Sequence, residues 1–126
     1  MSEHNSIRVG FQDFPLVFVD SLSDFDGRLL LGNIDLNDPK ISVVNTVRGK
    51  VAAMVLWHEA IHGVLNYSGL ATLLDEKTEE AIVEAVSNGI IQILRDNPWM
   101  GSLKLMSSIV KHQSEQGNEE NDPLTK

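Results

Sequence analysis

The sequence predicts an α+β fold, a small and mostly antiparallel sheet followed by two helices, and three observations carry that prediction. Up to residue 44 the chain is rich in β-branched and aromatic residues, broken by Gly, Pro, Asn and Asp at turn spacing. From Val47 to Tyr67 apolar residues recur at helical spacing. A second helical pattern follows the anionic run Asp75–Glu80 and stops at Asn97-Pro98.

Residues 7–20 read as two short strands or one bent edge strand, interrupted by Gly10 and Pro15, with Leu16–Val19 the firmer part. Asp24-Phe25-Asp26-Gly27 is a turn signal. Arg28–Leu36 reads as a strand with a bulge at Gly32-Asn33, and Asn37–Lys40 as a turn. Ile41–Val44 closes the sheet. Asn45 or Thr46 can cap the first helix, and Gly69 fits its stop. On that helix His58 and His62 share the inward side with Val51, Val55 and Leu65, while Glu59 falls near the rim. Thr78 is the candidate cap of the second helix, whose apolar stripe is Ile82, Val86, Ile90, Ile93 and Leu94. The residue before Pro98 avoids helical geometry, which ends it. A third, short helix is expected within Gly101–Lys111, and a disordered polar tail over 112–126. The domain is therefore expected to be single and to occupy 1–111.

The 126 residues carry 42% hydrophobic side chains, enough for one modest core. There is no cysteine, so any metal site must use His and carboxylate. The formal charge of −8 argues against direct binding of a nucleic-acid backbone. With no apolar run of membrane-spanning or signal-peptide type, the expected setting is cytoplasmic, away from membranes.

The chemistry concentrates at His58-Glu59-Ala60-Ile61-His62, an H-E-x-x-H motif on a helix. Histidines four apart lie one above the other and can share one zinc ion, and the intervening Glu59 can act as general base on a zinc-bound water. A catalytic site of this kind needs a third protein ligand. His4 falls in a terminus expected to fray and His112 in the tail, so a carboxylate of the second helix is the better source. Glu76 and Glu79 stand at or before the start of that helix, where solvent is expected. Glu80 and Glu84 share a face one turn apart, and either can reach the metal from an antiparallel helix.

The run from His58 to Leu70 resembles the active-site helix of thermolysin-like gluzincins, and Glu84-Ala85-Val86-Ser87-Asn88 resembles the E-x-x-S-D motif of their second helix, with Asn for Asp. The resemblance covers about residues 45–97. It implies Zn2+ held by His58, His62 and Glu84, with Glu80 as the fallback ligand or a solvated neighbour on the approach. Asn88 would then stand where the family has an Asp that orients a zinc-binding His. It also implies a minimal zincin-like metallopeptidase of phage or mobile-element type acting on a protein or peptide substrate. An extended peptide could add to Ile41–Val44 or Leu16–Val19. Tyr67, Arg48 and Lys50 are the available side chains for an oxyanion, and packing near the helix end is the better reading of Tyr67. The competing reading is a regulatory or interaction module that keeps zinc for structure.

Overall fold

The computed structural model describes residues 5–109, so His4, His112 and the tail over 112–126 lie outside the described residues. The fold is α+β, and the chain separates into two compact units, Met1–Ile91 and Gln92–Lys126.

The first unit begins with a hairpin of β1 (Ser6–Val9) and β2 (Gln12–Val19), turned at Gly10 with φ 63°. Pro15 sits in β2 just before Leu16–Val19, the stretch that pairs with β6. Its missing N–H therefore falls where β2 has only β1 beside it. The chain then leaves the sheet for a small hairpin, β3 (Leu22–Ser23) and β4 (Leu29–Leu30). Its turn is held by the Asp24 carboxylate, which accepts the backbone N–H groups of Asp26 and Arg28, both at 2.9 Å. The strand expected over Arg28–Leu36 is thus two pieces, β4 and β5 (Gly32–Asp35), parted at Leu31.

After a turn in which Asp35 accepts the amides of Asn37 and Asp38, β6 (Lys40–Val44) completes a four-stranded sheet of order β1-β2-β6-β5. Two of its pairings are antiparallel, and the third, β2 with β6, is parallel. A parallel pair needs a crossover, which the β3–β5 excursion supplies. β6 has a neighbour on each side and is buried from Ile41 to Val44. Ile41–Val44 therefore cannot accept an added peptide strand, contrary to expectation; the edge strand on that side is β5.

Helix α1 (Gly49–Tyr67) lies on the sheet, and Val9, Phe14, Ile41, Val43 and Val55 form the core between them. Its N-cap is Arg48, with no side-chain hydrogen bond. Asn45 is not the cap, because its side-chain amide donates to Asp20 at 3.0 Å. Gly69, φ 86°, follows the last turn as anticipated. At that end Tyr67 packs on Gly10 and meets Phe11 edge-on at 5.2 Å, a packing role.

Helix α2 (Glu76–Asp96) is capped by Asp75 rather than Thr78: its carboxylate accepts the Thr78 N–H at 2.7 Å. Its buried residues are Val83 and Ser87, whereas Val86 and Ile93 of the expected stripe are exposed. The helix is rotated because the line bearing Glu79, Glu80 and Glu84 turns toward the α1 histidines. In the second unit Pro98–Gly101 form a 3-10 turn and residues 103–109 a short helix.

Candidate metal centre

α1 positions three side chains at once. Val55, Glu59 and Gly63 follow one another at four-residue intervals and form its most buried line, against the sheet. His58 and His62 stand one step round, about one-fifth exposed, facing a cleft. The order of burial is the reverse of that expected, since Glu59 is the deeper residue, at 8% exposure. Gly32 makes this possible: a Cβ there would lie 2.4 Å from Val55 Cγ1 and 3.4 Å from Glu59 Cγ, so only glycine lets β5 approach the helix so closely. Gly63 serves the same contact, with Ile34 Cδ1 3.1 Å from where its Cβ would be.

α2 runs antiparallel to α1 at the site, because His58 meets Glu80 and Glu84 while His62 meets Glu79 and Glu80. Both histidines turn Nε2 to the Glu80 carboxylate, one oxygen each: His58 at 2.9 Å and His62 at 3.1 Å. His58, His62 and Glu80 offer ligand atoms that all lie within 4.8 Å of one another. In a tetrahedral zinc site with bonds of about 2.0–2.1 Å, neighbouring ligand atoms are about 3.3 Å apart. The two Nε2-to-Glu80 separations, 2.9 and 3.1 Å to different oxygens of the carboxylate, are near that, and an N/N/O donor set suits a borderline divalent ion. The residues present therefore fit a metal ion.

The opposite ring nitrogens meet other carboxylates. His62 Nδ1 lies 2.8 Å from Glu79 Oε2, and His58 Nδ1 lies 3.4 Å from Glu84 Oε1. With its Nδ1–H donating to Glu79, His62 keeps the lone pair of Nε2 for a metal, and His58 has Glu84 near Nδ1 at 3.4 Å. No protein-family model, curated protein or solved structure matches this chain. Glu84, implied as a ligand by the resemblance, approaches only His58, through Nδ1. Glu79, expected in solvent, is one-fifth exposed and holds His62. The signal for it was present in Asp75: a cap there starts the helix at Glu76 and puts Glu79 within its first turn.

Burial raises the Glu59 carboxyl above its ordinary value of 4.5, and the charge of Glu80 pushes the same way. His58, His62 and a backbone hydrogen bond from Ile34 oppose the rise. A carboxylate so placed holds or releases a proton readily at the inner wall of the cleft, as a general base requires.

That cleft, of ≈ 1510 Å³, is lined by β5, the approach to it from β4, and the facing sides of α1 and α2. Its size exceeds the roughly 300–1,000 Å³ of a small-molecule pocket. Asn66 and Asn88 line it one turn beyond His62 and Glu84. Among the described residues, no helix is long and apolar enough to cross a membrane.

Proposed function

We propose that this protein is a zinc-dependent hydrolase of peptide bonds in a protein or peptide substrate, with Glu59 as general base and His58, His62 and Glu80 as ligands. The observation that carries the proposal is the pairing of a His/His/Glu group with a buried carboxylate on the same cleft wall. A metal ion that merely ties two helices together has no use for Glu59, whose burial is costly to the fold. Zinc at this group would supply a Lewis acid that acidifies water toward a pKa of about 7 and polarises the scissile carbonyl. Glu59 takes the proton and returns it to the leaving amine. Glu79 fixes the His62 imidazole by holding Nδ1, and Glu84 stands beside His58 Nδ1.

β5 offers the backbone of Gly32 and Ile34 along the cleft. Val44 N–H donates to the Leu31 carbonyl, and the antiparallel ladder alternates, so residues 31, 33 and 35 face β6 while 32 and 34 face outward. An extended substrate can pair with the outward N–H and carbonyl of Gly32 and the outward carbonyl of Ile34, whose N–H already donates to Glu59.

The reading as an interaction module with structural zinc draws on one observation. Of the side chains suggested for an oxyanion, Tyr67 meets Phe11 edge-on and Arg48 donates to backbone carbonyls just before α1. One experiment separates the two. Glu59→Gln should bind zinc with wild-type stoichiometry and lose peptide hydrolysis by about 100-fold or more. Equal hydrolysis by both proteins, or none by zinc-loaded wild type on a broad peptide mixture, would overturn the peptidase reading.

A further inference from the structure

Resting on that reading, we infer that Lys77 is a catalytic residue of the site: its ammonium donates to the oxygen of the scissile carbonyl as negative charge builds on it. The charge around the histidines calls for such a group. Glu59, Glu79, Glu80 and Glu84 all stand at or beside the candidate metal centre. Four carboxylates outweigh the two positive charges of a divalent ion, so an oxygen that turns anionic there is repelled unless a cation compensates. Of the side chains that line the cleft, eight carry carboxylates and two, Arg28 and Lys77, carry cations. Tyr67 and Arg48 are engaged elsewhere.

Lys77 is the better placed of the two. Arg28 rides on the β3–β4 hairpin, whose hydrogen bonds run within itself. Lys77 is fixed by α2, the helix that carries Glu80. It stands three residues before Glu80, one turn away, a spacing that sets Cβ atoms about 5–6 Å apart. Helical side chains lean toward the N-terminus, so the Glu80 side chain covers the turn that holds Lys77. The flexible stem of a lysine spans such a gap and can aim an N–H at a group held beside Glu80. Among the described residues Lys77 forms no ion pair, since Asp75 is committed to the Thr78 amide, Glu79 to His62 and Glu80 to both histidines. Its position is also unfavourable to the helix. Lys77 lies in the first turn of α2, where the dipole disfavours a cation. A residue that breaks a local rule with no compensating partner is what a functional position looks like.

In the step itself the water oxygen bonds to the carbonyl carbon and Glu59 takes the water proton. The carbonyl π pair moves onto its oxygen, where Lys77 stabilises it without giving up a proton. On collapse the pair re-forms the carbonyl, the C–N bond breaks, and the amine leaves with the proton from Glu59.

The test has a readout apart from turnover. A labelled phosphinic tetrapeptide of alanine carries a tetrahedral anion in place of the central amide, and its counterpart keeps the amide. Both are titrated by fluorescence anisotropy into the zinc-loaded full chain carrying Glu59→Gln. Adding Lys77→Met should weaken the phosphinate about tenfold or more and the amide peptide less than about twofold. Lys77→Arg should recover part of the loss. Arg28→Met removes the same charge from the same cleft and should leave both ligands unchanged. With Glu59 intact, Lys77→Met should lower kcat by about 100-fold, with KM and zinc stoichiometry little changed. Equal loss of both ligands, an equal effect of Arg28→Met, no effect of Lys77→Met, or a Lys77 site that binds no phosphinate overturns the inference. Hydrolysis is scored separately. Lys77-dependent phosphinate binding without hydrolysis by zinc-loaded wild type refutes the peptidase reading alone. Hydrolysis untouched by Lys77→Met refutes the role of Lys77 alone.

Discussion

Glu59 and the carboxylates around the histidines divide the work of the site by depth. Glu59 is buried and its folded pKa is raised, chiefly by desolvation. Below the unfolded value its protonated form costs the fold nothing; as pH rises through the folded value, ionisation inside the protein destabilises it. Metal-free Glu59→Gln should therefore match wild type in denaturant midpoint near pH 4 and exceed it increasingly toward neutrality. A gap that is constant with pH would show that Glu59 is not held in this way. At the more exposed carboxylates the outcome depends on which ring nitrogen each one faces. Glu80 faces both Nε2 atoms, so Glu80→Ala should reduce zinc affinity more than any other single Glu substitution on α2. Glu79→Ala and Glu84→Ala act through Nδ1 and should cost about 10- to 100-fold each. Chelator competition measures all three, and a larger loss in Glu84→Ala than in Glu80→Ala would restore Glu84 as the ligand.

The elements hold these side chains in place by close approach, and two glycines show how local that control is. At Gly32 an added methyl group would strike Val55 Cγ1, so Gly32→Ala should cost about 1–3 kcal/mol by overpacking and shift α1 from β5. At Gly89, inside α2, nothing lies within 4 Å of the added group, so Gly89→Ala should stabilise by about 0.5–1 kcal/mol through helix propensity. Urea melts of the two variants should move in opposite directions, and movement in the same direction would contradict the packing described. The legibility of the sequence followed the same division. Helical period and stop signals located α1 and α2, and the H-E-x-x-H spacing located the histidines, because those depend on neighbours in sequence. The parallel pairing of β2 with β6, the deeper seat of Glu59 and the approach of Glu79 depend on how elements meet. Helix rotation in particular does not follow from the apolar stripe: Val86 and Ile93 are exposed, while the carboxylate-bearing line of α2 faces the histidines.

Across the first unit, stability is unevenly shared. The sheet and α1 enclose the core, with β6 at its centre. The α2 segment up to Ile91 contributes the buried Val83 and Ser87, and Ser87 spends its hydroxyl on the Val83 carbonyl within its own helix at 2.7 Å. Besides the packing that buries Val83 and Ser87, His–Glu contacts join this segment to α1 at the cleft, and without a metal these are partly exposed polar contacts of small worth. A metal ion ligated from both helices would replace them with coordination bonds and tie α2 more firmly to α1. Binding to the folded state alone stabilises by ~2.7 kcal/mol at a free concentration of 100 Kd, enough to raise Tm by on the order of 10 °C in a domain of this size. Backbone hydrogen exchange should locate the gain. Before metal is added, amides of Glu80–Ile90 should exchange faster than those of Ile41–Val44; afterward they should slow by at least tenfold, with little change in β6 beyond the global shift. Glu80→Ala should abolish both the Tm increase and the protection. A metal-induced rise in Tm that leaves α2 exchange untouched would place the ion elsewhere and remove Glu80 from its ligands.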